Sequence, residues 1–425
     1  MYHSSQHTLS NGIVTILTDI SHSHLCAVYA FVKTGSLQEE EGERGYAHLL
    51  EHLLLKRLTT HREDALTKFC TSRGMYFNAE TSREYTAFYI TDIMPEYLAE
   101  ALNLMNVILF HPVFTAKDME EEKDIVISEL SDRISSPHYK MQRAFSEYYF
   151  GTHPLGREVG GKIDEVQNAE FERLMNFYKK HYVPENIVLS LAGPGAEKPN
   201  IRHIIDTTFA LEEKKPHPAS LFPAHIPPEK KDFMYTLDFA ENVSLEYFFV
   251  IPGRNSYTEE ERFAFYFYED ILGNSRYSRL FMKLREEKRL VYGVGVGTSY
   301  ILNTGSFSID TSCKKENVEE ISIHISEALR TMRDNFVTSE ELEEAKTTAL
   351  VGYYQILDDV NRIASRAGHL YITRGILIQP EVALNRFKSV TVEQIQEVGK
   401  KYILPGEAYS YVTYKEELHI PHLTH

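Results

Sequence analysis

Two histidines and a glutamate stand close together in the segment GYAHLLEHLLLKR, residues 45–57. The leucines around them indicate a helix, and positions i, i+3 and i+4 of a helix lie on one face. His48 and His52 would therefore present two imidazoles one turn apart, an arrangement that can bind one zinc ion. Glu51 would face the same way, and its carboxylate could take a proton from a water molecule attacking a carbonyl group.

This HxxEH pattern is the reverse of HExxH and is typical of one class of zinc peptidases. A single histidine on a helix is more often a solvated or core residue, so the metal interpretation requires a third ligand. The segment AKDMEEEKDIVISEL offers the best candidates, because Glu122 and Glu129 are two helical turns apart and face the same way. Ile125, Val126 and Ile127 are expected to form the apolar side of this helix, and Glu129 lies within that apolar stretch, where a carboxylate should need a partner. The charged run 120–122 indicates a solvated helix start.

Composition and charge narrow the class of protein. The chain has 425 residues, of which 43% are hydrophobic and 25% charged, as in soluble globular proteins of two or three domains. Its net charge of −16 argues against a nucleic-acid partner, although an acidic cavity could favour cationic peptides. Neither a membrane span nor a signal peptide is expected. Cys26, Cys70 and Cys313 form no CxxC motif, so we expect core residues in a cytoplasmic protein.

A proline-rich segment divides the chain into two halves. Residues 212–231 contain five prolines and little periodicity, which predicts an extended linker. The flanking segments, 1–211 and 232–425, contain similar motifs in the same order: AVYAFVKTG in the first is matched by YFFVIPG in the second. Repeats of this size indicate duplicated domains. In each half, β-branched and aromatic strand patterns alternate with helical patterns, which predicts an α+β fold with a mostly antiparallel sheet covered by helices.

With HLLEH around Glu51 and two glutamates seven residues apart, the sequence resembles the insulinase/pitrilysin family of zinc metallopeptidases, in its short processing-peptidase-like branch. The resemblance runs nearly from end to end and implies that the two domains form a bilobed shell. It also implies these roles: His48, His52 and Glu129 bind Zn2+, Glu51 is the general base, and Glu122 is an accessory carboxylate beside the ligands.

Two further stretches resemble substrate-binding elements of that family. FNAETSREYTAFY is similar to its substrate strand, which implies that Asn78 and Ala79 bind an extended peptide as an added strand. LREEKRLVYGVG is similar to its arginine–tyrosine element, which implies that Arg285 and Tyr292 hold the substrate backbone and stabilise the oxyanion. Taken alone, Arg285 would be interpreted as part of a surface salt bridge.

The function expected from this resemblance is a zinc endopeptidase that cleaves unfolded peptides, including leader or precursor peptides, inside a closed chamber. The alternative is a non-catalytic peptide-binding or scaffold subunit of a heteromeric peptidase. Because His48, Glu51, His52 and Glu129 are all present, the enzyme is favoured. The partner would be a second copy of the chain or a related subunit. Both motifs on one chain favour a homodimer, and whether the arginine–tyrosine pair acts within its own chain or on its neighbour stays open.

Overall fold

A computed structural model of the protein describes residues 2–56, 65–210 and 225–424. The chain forms two compact units. The first comprises Met1–Ser135, Arg157–Phe222 and Tyr354–Glu381, and the second comprises Ser136–Gly156, Pro223–Tyr353 and Val382–His425. Each unit therefore includes one segment from the other half of the sequence. The division into 1–211, 212–231 and 232–425 stays a prediction, and residues 212–224 of the predicted linker lie outside the described residues.

The first unit contains a six-stranded sheet. Its strands are β1 (Ser4–Thr8), β2 (Val14–Asp19), β3 (Cys26–Val32), β4 (Tyr76–Thr81), β5 (Thr86–Ile93) and β6 (Ile187–Gly193). Their order is β1-β2-β6-β3-β5-β4, so β4 lies at an edge of the sheet. The pair β2 and β6 is parallel, and the other neighbouring strands are antiparallel.

The helices of the first half of the chain are α1 (Tyr46–Lys56), α2 (Ala65–Thr71), α3 (Leu98–Phe110), α4 (Ala116–Ser135), α5 (Pro137–Phe150), α6 (Ile163–Gln167), α7 (Phe171–His181) and α8 (Pro199–Thr208). These helices belong to the first unit, except α5, which belongs to the second. In α1, Leu49, Leu50 and Leu53 are fully buried and join a core cluster with Phe88 and Ile90 of β5. Burying the leucine face fixes the rotation of α1, and this rotation decides where its polar residues point.

The second unit contains a five-stranded sheet with the order β7-β11-β8-β10-β9. Its strands are β7 (Asp232–Thr236), β8 (Val243–Pro252), β9 (Val291–Ile301), β10 (Thr304–Cys313) and β11 (Tyr409–Tyr414). The helices of this half of the chain are α9 (Glu259–Glu269), α10 (Val318–Asp334), α11 (Ser339–Leu357), α12 (Val360–Arg374), α13 (Pro380–Ser389) and α14 (Val392–Tyr402), with π-helical segments at Asp270–Asn274 and Phe281–Glu287. No helix of the described residues is long and apolar enough to cross a membrane.

The two sheets share one topology. The order β2-β6-β3-β5-β4 in the first corresponds strand by strand to β7-β11-β8-β10-β9 in the second. In each sheet the first pair is parallel and the next three pairs are antiparallel. The predicted fold class, an α+β protein with two similar sheet-and-helix halves, is therefore confirmed. Cys26, Cys70 and Cys313 are buried and unpaired, as expected of core residues.

Two helices, α5 and α12, each belong to the unit formed mainly by the other half of the sequence. Phe145 and Tyr149 of α5 pack against Phe248 of β8 and Tyr411 of β11, all within the second unit. Helix α12 packs on β3 and β6 of the first unit. In both units, a helix from the other half of the sequence therefore covers part of one sheet face.

Replacing Glu246 by glutamine is expected to make folding stability less sensitive to pH. Glu246 on β8 lies directly opposite Asp310 on β10 and Tyr411 on β11. Burial, with a smaller contribution from the Asp310 charge, raises the pKa of Glu246 to about 7. Because the folded protein holds this proton more tightly than the unfolded chain, the stability it confers is complete below about pH 4.5 and is lost as the pH rises through 7.

At pH 8, the free energy of unfolding of the variant should therefore exceed that of the wild type by on the order of 2 kcal/mol, while at pH 5 the two should differ little. Thermal unfolding at both pH values measures this difference. Glu241→Gln is the matched control, because Glu241 is exposed. An equal shift at pH 5 and pH 8 would contradict the prediction.

Candidate metal centre

The helix α1 presents both imidazoles at the rim of the buried core. His48 and His52 are half-buried, and their ring centroids lie 4.7 Å apart. Burial, together with the neighbouring His52, lowers the pKa of His48 to about 4. Burial acts in the same direction on His52, but the hydrogen bond to Glu122 and the charges of nearby carboxylates outweigh burial and raise the pKa of His52.

The helix α4 brings a carboxylate to the two rings. Glu129 Oε2 lies 3.9 Å from His48 Nε2 and 3.8 Å from His52 Nε2. One potential ligand atom from each of these three residues lies within 4.8 Å of the other two, and this is the one such cluster within the described ranges. The structure therefore places the two histidines and Glu129 around one point.

The chemistry of these donors fits a zinc ion. Two imidazole nitrogens and one carboxylate oxygen are ligands that zinc prefers, and catalytic sites leave the fourth position open. Zinc bonds of about 2.0–2.1 Å in a tetrahedron place neighbouring ligand atoms about 3.3 Å apart, so the two distances from Glu129 to the histidine nitrogens need to shorten by about 0.5 Å. His48, His52 and Glu129 are therefore suited to hold a metal without rearrangement of their helices.

The Nδ1 atoms of the two imidazoles, which face away from Glu129, differ in their hydrogen-bond partners. His52 Nδ1 lies 3.0 Å from Glu122 Oε1, and Lys56 Nζ lies 3.2 Å from Glu122 Oε2. Burial alone would raise the pKa of Glu122, but these two partners outweigh burial and lower the pKa. His48 Nδ1 is buried and has no hydrogen-bond partner among the described residues. Glu122 thus fixes the ring of His52 without facing the potential metal position, as a carboxylate behind a ligand does.

Glu51 is held beside the same histidines by a strand. Its side chain is buried, and its Oε2 accepts a hydrogen bond of 2.5 Å from the hydroxyl of Thr81 at the end of β4. Burial raises the pKa of Glu51, and the bond from Thr81 and the nearby His52 partly oppose this rise. A carboxylate that prefers to hold a proton is suited to accept one from an attacking water.

The edge strand β4 carries the predicted substrate residues. The side-chain oxygen of Asn78 accepts a hydrogen bond from the amide of Ala79 (2.9 Å), and its side-chain nitrogen donates one to the hydroxyl of Tyr76 (3.0 Å). The other side of β4 pairs with β5. Asn78 and Ala79 therefore lie on an edge strand of the sheet, the kind of strand to which an extended peptide can pair.

Arg285 and Tyr292 meet in the second unit. Arg285 belongs to the π-helical segment Phe281–Glu287, and Tyr292 lies near the start of β9. The guanidinium carbon of Arg285 lies 4.4 Å from the ring centroid of Tyr292, within the range of a cation–π interaction. Tyr292 is 84% exposed. The two predicted residues thus form a pair of a half-buried cation and an exposed phenol.

The interpretation of the apolar run 125–127 was wrong for Ile125, which is 53% exposed. The buried apolar residues of α4 are Met119, Val126 and Leu130, at helical spacing. This rotation of α4 also explains the position of the Glu129 side chain, which is half exposed and reaches the histidines from outside the core. The run 120–122 is likewise only partly solvated, since Glu122 is buried.

The sequence interpretation missed Thr81 as a contact of Glu51. The stretch FNAETSREYTAFY contained it, but only Asn78 and Ala79 were assigned a role. Thr81 is two residues along β4 from Ala79, so period-2 alternation places both side chains on the same face, toward α1. That alternation was the available signal.

The fold and the site define a duplicated α+β protein with the donor set of a metallopeptidase in its first half. A family model described as insulinase (peptidase family M16) matches residues 14–162, and one described as peptidase M16 inactive domain matches residues 168–349. The chain belongs to this family. The predicted resemblance to insulinase and pitrilysin is thereby confirmed.

Relatives of similar length match more than nine tenths of the chain. An uncharacterized zinc protease of Mycobacterium bovis is 26% identical over 396 residues, covering 92% of this chain and 89% of the relative. The uncharacterized zinc protease YmxG of Bacillus subtilis is 24% identical over 410 residues, covering 96% and 98%.

Solved structures agree on the fold. A protease from Helicobacter pylori has a TM-score of 0.83 at 18% identity and covers 97% of this chain and 99% of its own. A peptidase M16 inactive domain from Pseudomonas fluorescens has a TM-score of 0.85 at 18% identity and covers 98% and 100%. At this identity, the two structures support the fold alone.

Proposed function

We propose that the protein is a zinc-dependent endopeptidase that cleaves unfolded peptides, such as leader or precursor peptides. The observation that carries the proposal is the meeting of three features: the donor set His48, His52 and Glu129, the buried carboxylate of Glu51 beside it, and the strand β4. A purely structural metal site requires neither a buried carboxylate outside the donor set nor the edge strand of a sheet beside it. Relatives named as zinc proteases support the same class of activity.

Each residue has a definite task in this reaction. A zinc ion held by His48, His52 and Glu129 would supply Lewis-acid activation of water and of the scissile carbonyl. Glu51 accepts the proton of the attacking water and delivers it to the leaving amine. Its hydrogen bond from Thr81 keeps the carboxylate in reach of both.

Binding through a strand edge explains a preference for unfolded peptides. A peptide added beside β4 gains main-chain hydrogen bonds with little demand on its sequence, and only an extended chain can offer them. The net charge of −16 favours cationic substrates through long-range attraction. We further propose a cytoplasmic location, which the three unpaired cysteines support.

A cleavage assay tests the proposal. Purified protein would be incubated with an unstructured cationic peptide and with a stably folded protein, and the products identified by mass spectrometry. We expect cleavage of the peptide alone, loss of cleavage with 1,10-phenanthroline, and its return with added Zn2+. Peptide binding by the zinc-loaded protein without cleavage would favour the alternative, a peptide-binding or scaffold subunit of a heteromeric peptidase.

We propose that Arg285 and Tyr292 hold the substrate backbone and stabilise the oxyanion, and that the protein acts as a homodimer. Tyr292→Phe removes one hydroxyl donor and should lower kcat with little change in KM, at a cost of about 2–4 kcal/mol in the transition state. Tyr277→Phe is the matched control, because Tyr277 is also an exposed tyrosine, with 78% exposure. Equal losses in both variants would contradict a role for Tyr292.

Mixing two inactive variants tests whether the pair serves the neighbouring subunit. If it does, a dimer of Glu51→Gln and Tyr292→Phe chains contains one intact site, and free exchange of subunits should restore about a quarter of the wild-type activity. Subunit exchange would be followed with fluorescent labels. A mixture that exchanges freely but gains no activity would place the pair within its own chain.

A further inference from the structure

The amino terminus of α1 is fastened by a carboxylate from outside the helix. Glu39 is only 3% exposed. Its Oε1 accepts a hydrogen bond of 2.9 Å from the amide of Ala47, and its Oε2 accepts one of 3.0 Å from the amide of Gly45. Ala47 immediately precedes His48, so the carboxylate is bonded to the turn of helix from which the first imidazole projects.

We propose that Glu39 is a positioning residue that sets the metal affinity of the site by fixing this first turn. The proposal rests on the proposed function, because it assumes that His48 and His52 bind a metal. The start of α1 needs such acceptors, because the first amides of a helix have no partner within the helix and a buried unpaired amide is costly. Burial raises the pKa of Glu39 to about 8, and the two amide hydrogen bonds oppose this rise.

Gly45, the residue just before α1, cannot accept hydrogen bonds from these amides with a side chain of its own. Gly45 has a φ of +89°, and a Cβ built on it would lie 2.8 Å from the carbonyl oxygen of Gly160. The position therefore favours glycine, which has no side chain to cap the helix. The amide of Tyr46 bonds to the carbonyl of Glu43. Glu39 supplies the acceptors for the amides on both sides of Tyr46.

The cap and the first ligand are also linked through one loop. Arg157 donates a hydrogen bond of 2.9 Å to the carbonyl oxygen of Glu39. Three residues later, Gly160 lies near the ring of His48, since a Cβ added to it would be 3.6 Å from His48 Nδ1. The segment 157–160 thus bonds to the residue that caps the helix and passes near the ring that the helix presents. A shift of the first turn would move His48 relative to Glu129 on α4.

The test measures the metal site and not proteolysis. Zn2+ affinity would be determined by competition with a chromophoric chelator for the wild type, Glu39→Gln and Glu39→Ala, and the visible absorption spectrum would be recorded with Co2+ at saturation. Glu41→Ala is the matched control, because Glu41 is an exposed glutamate of the same loop. Glu39→Gln preserves the volume of the side chain but keeps only one acceptor oxygen, so it tests the hydrogen bonds alone. Glu39→Ala removes the hydrogen bonds and also leaves a cavity.

We expect a 10- to 100-fold loss of Zn2+ affinity in both Glu39 variants, about the size seen when a residue behind a ligand is removed. The saturated Co2+ spectrum should also change, which a loss of stability alone would not produce in folded protein. Folded Glu39→Gln with wild-type affinity and spectrum would overturn the proposal. A wild-type chain that binds Zn2+ but cleaves no peptide would contradict the proposed function. The comparison of metal affinity and Co2+ spectrum between the wild type and the Glu39 variants would still decide the role of Glu39.

Discussion

Replacing Glu51 by glutamine is expected to lower kcat by about three orders of magnitude or more while zinc and peptide binding persist. The amide has nearly the same shape as the carboxylate, and its oxygen can still accept the hydrogen bond of Thr81. It cannot take a proton from water at neutral pH. Turnover would be measured with an unstructured peptide, zinc by elemental analysis, and peptide affinity by fluorescence anisotropy.

Glu96→Gln provides the control for the loss of one negative charge, because Glu96 is exposed. It should be as active as the wild type. A Glu51→Gln protein that still turns over peptide would refute the general-base role. A Glu51→Gln protein that loses its zinc would instead make Glu51 a ligand, which the bond to Thr81 and the geometry of Glu129 argue against.

Short-range periodicity explains what could be predicted from the sequence. His48, Glu51 and His52 fall on one helical face because their spacing alone fixes it once a helix forms, and the leucines between them ensure that a helix forms. The duplication could also be predicted, since strand patterns of the first half, such as AVYAFVKTG, have counterparts in the second. The shared order of five strands follows from that repeat.

Tertiary placement explains what could not be predicted. The role of Glu39 depends on a loop that returns to the helix start, and in sequence it is one member of the acidic run 39–41. The exposure of Ile125 depends on the rotation of α4, which Met119, Val126 and Leu130 determine together. The exchange of α5 between units depends on aromatic contacts with strands far along the chain.

Glu129→Ala is expected to abolish zinc binding at micromolar metal, with a loss of affinity of at least about 100-fold. Two imidazoles would remain, and a catalytic zinc site needs three protein ligands. The side chain is 53% exposed and lies outside the core, so its removal should hardly change folding stability. Isothermal titration with Zn2+, together with thermal unfolding of the chelator-treated protein, separates the two effects.

The order of three variants on the same helix is the sharper test of which glutamate is the ligand. Glu129→Ala should lose the most zinc affinity, Glu122→Gln an intermediate amount, and Asp124→Ala almost none. Glu122 is bonded to the far nitrogen of His52 and orients the ring, which is worth about 10- to 100-fold. Asp124 is exposed, and its replacement by alanine removes one negative charge from the same helix. If Glu122→Gln lost more zinc affinity than Glu129→Ala, the third ligand would be Glu122, and the ring of His52 would have to turn to present its other nitrogen.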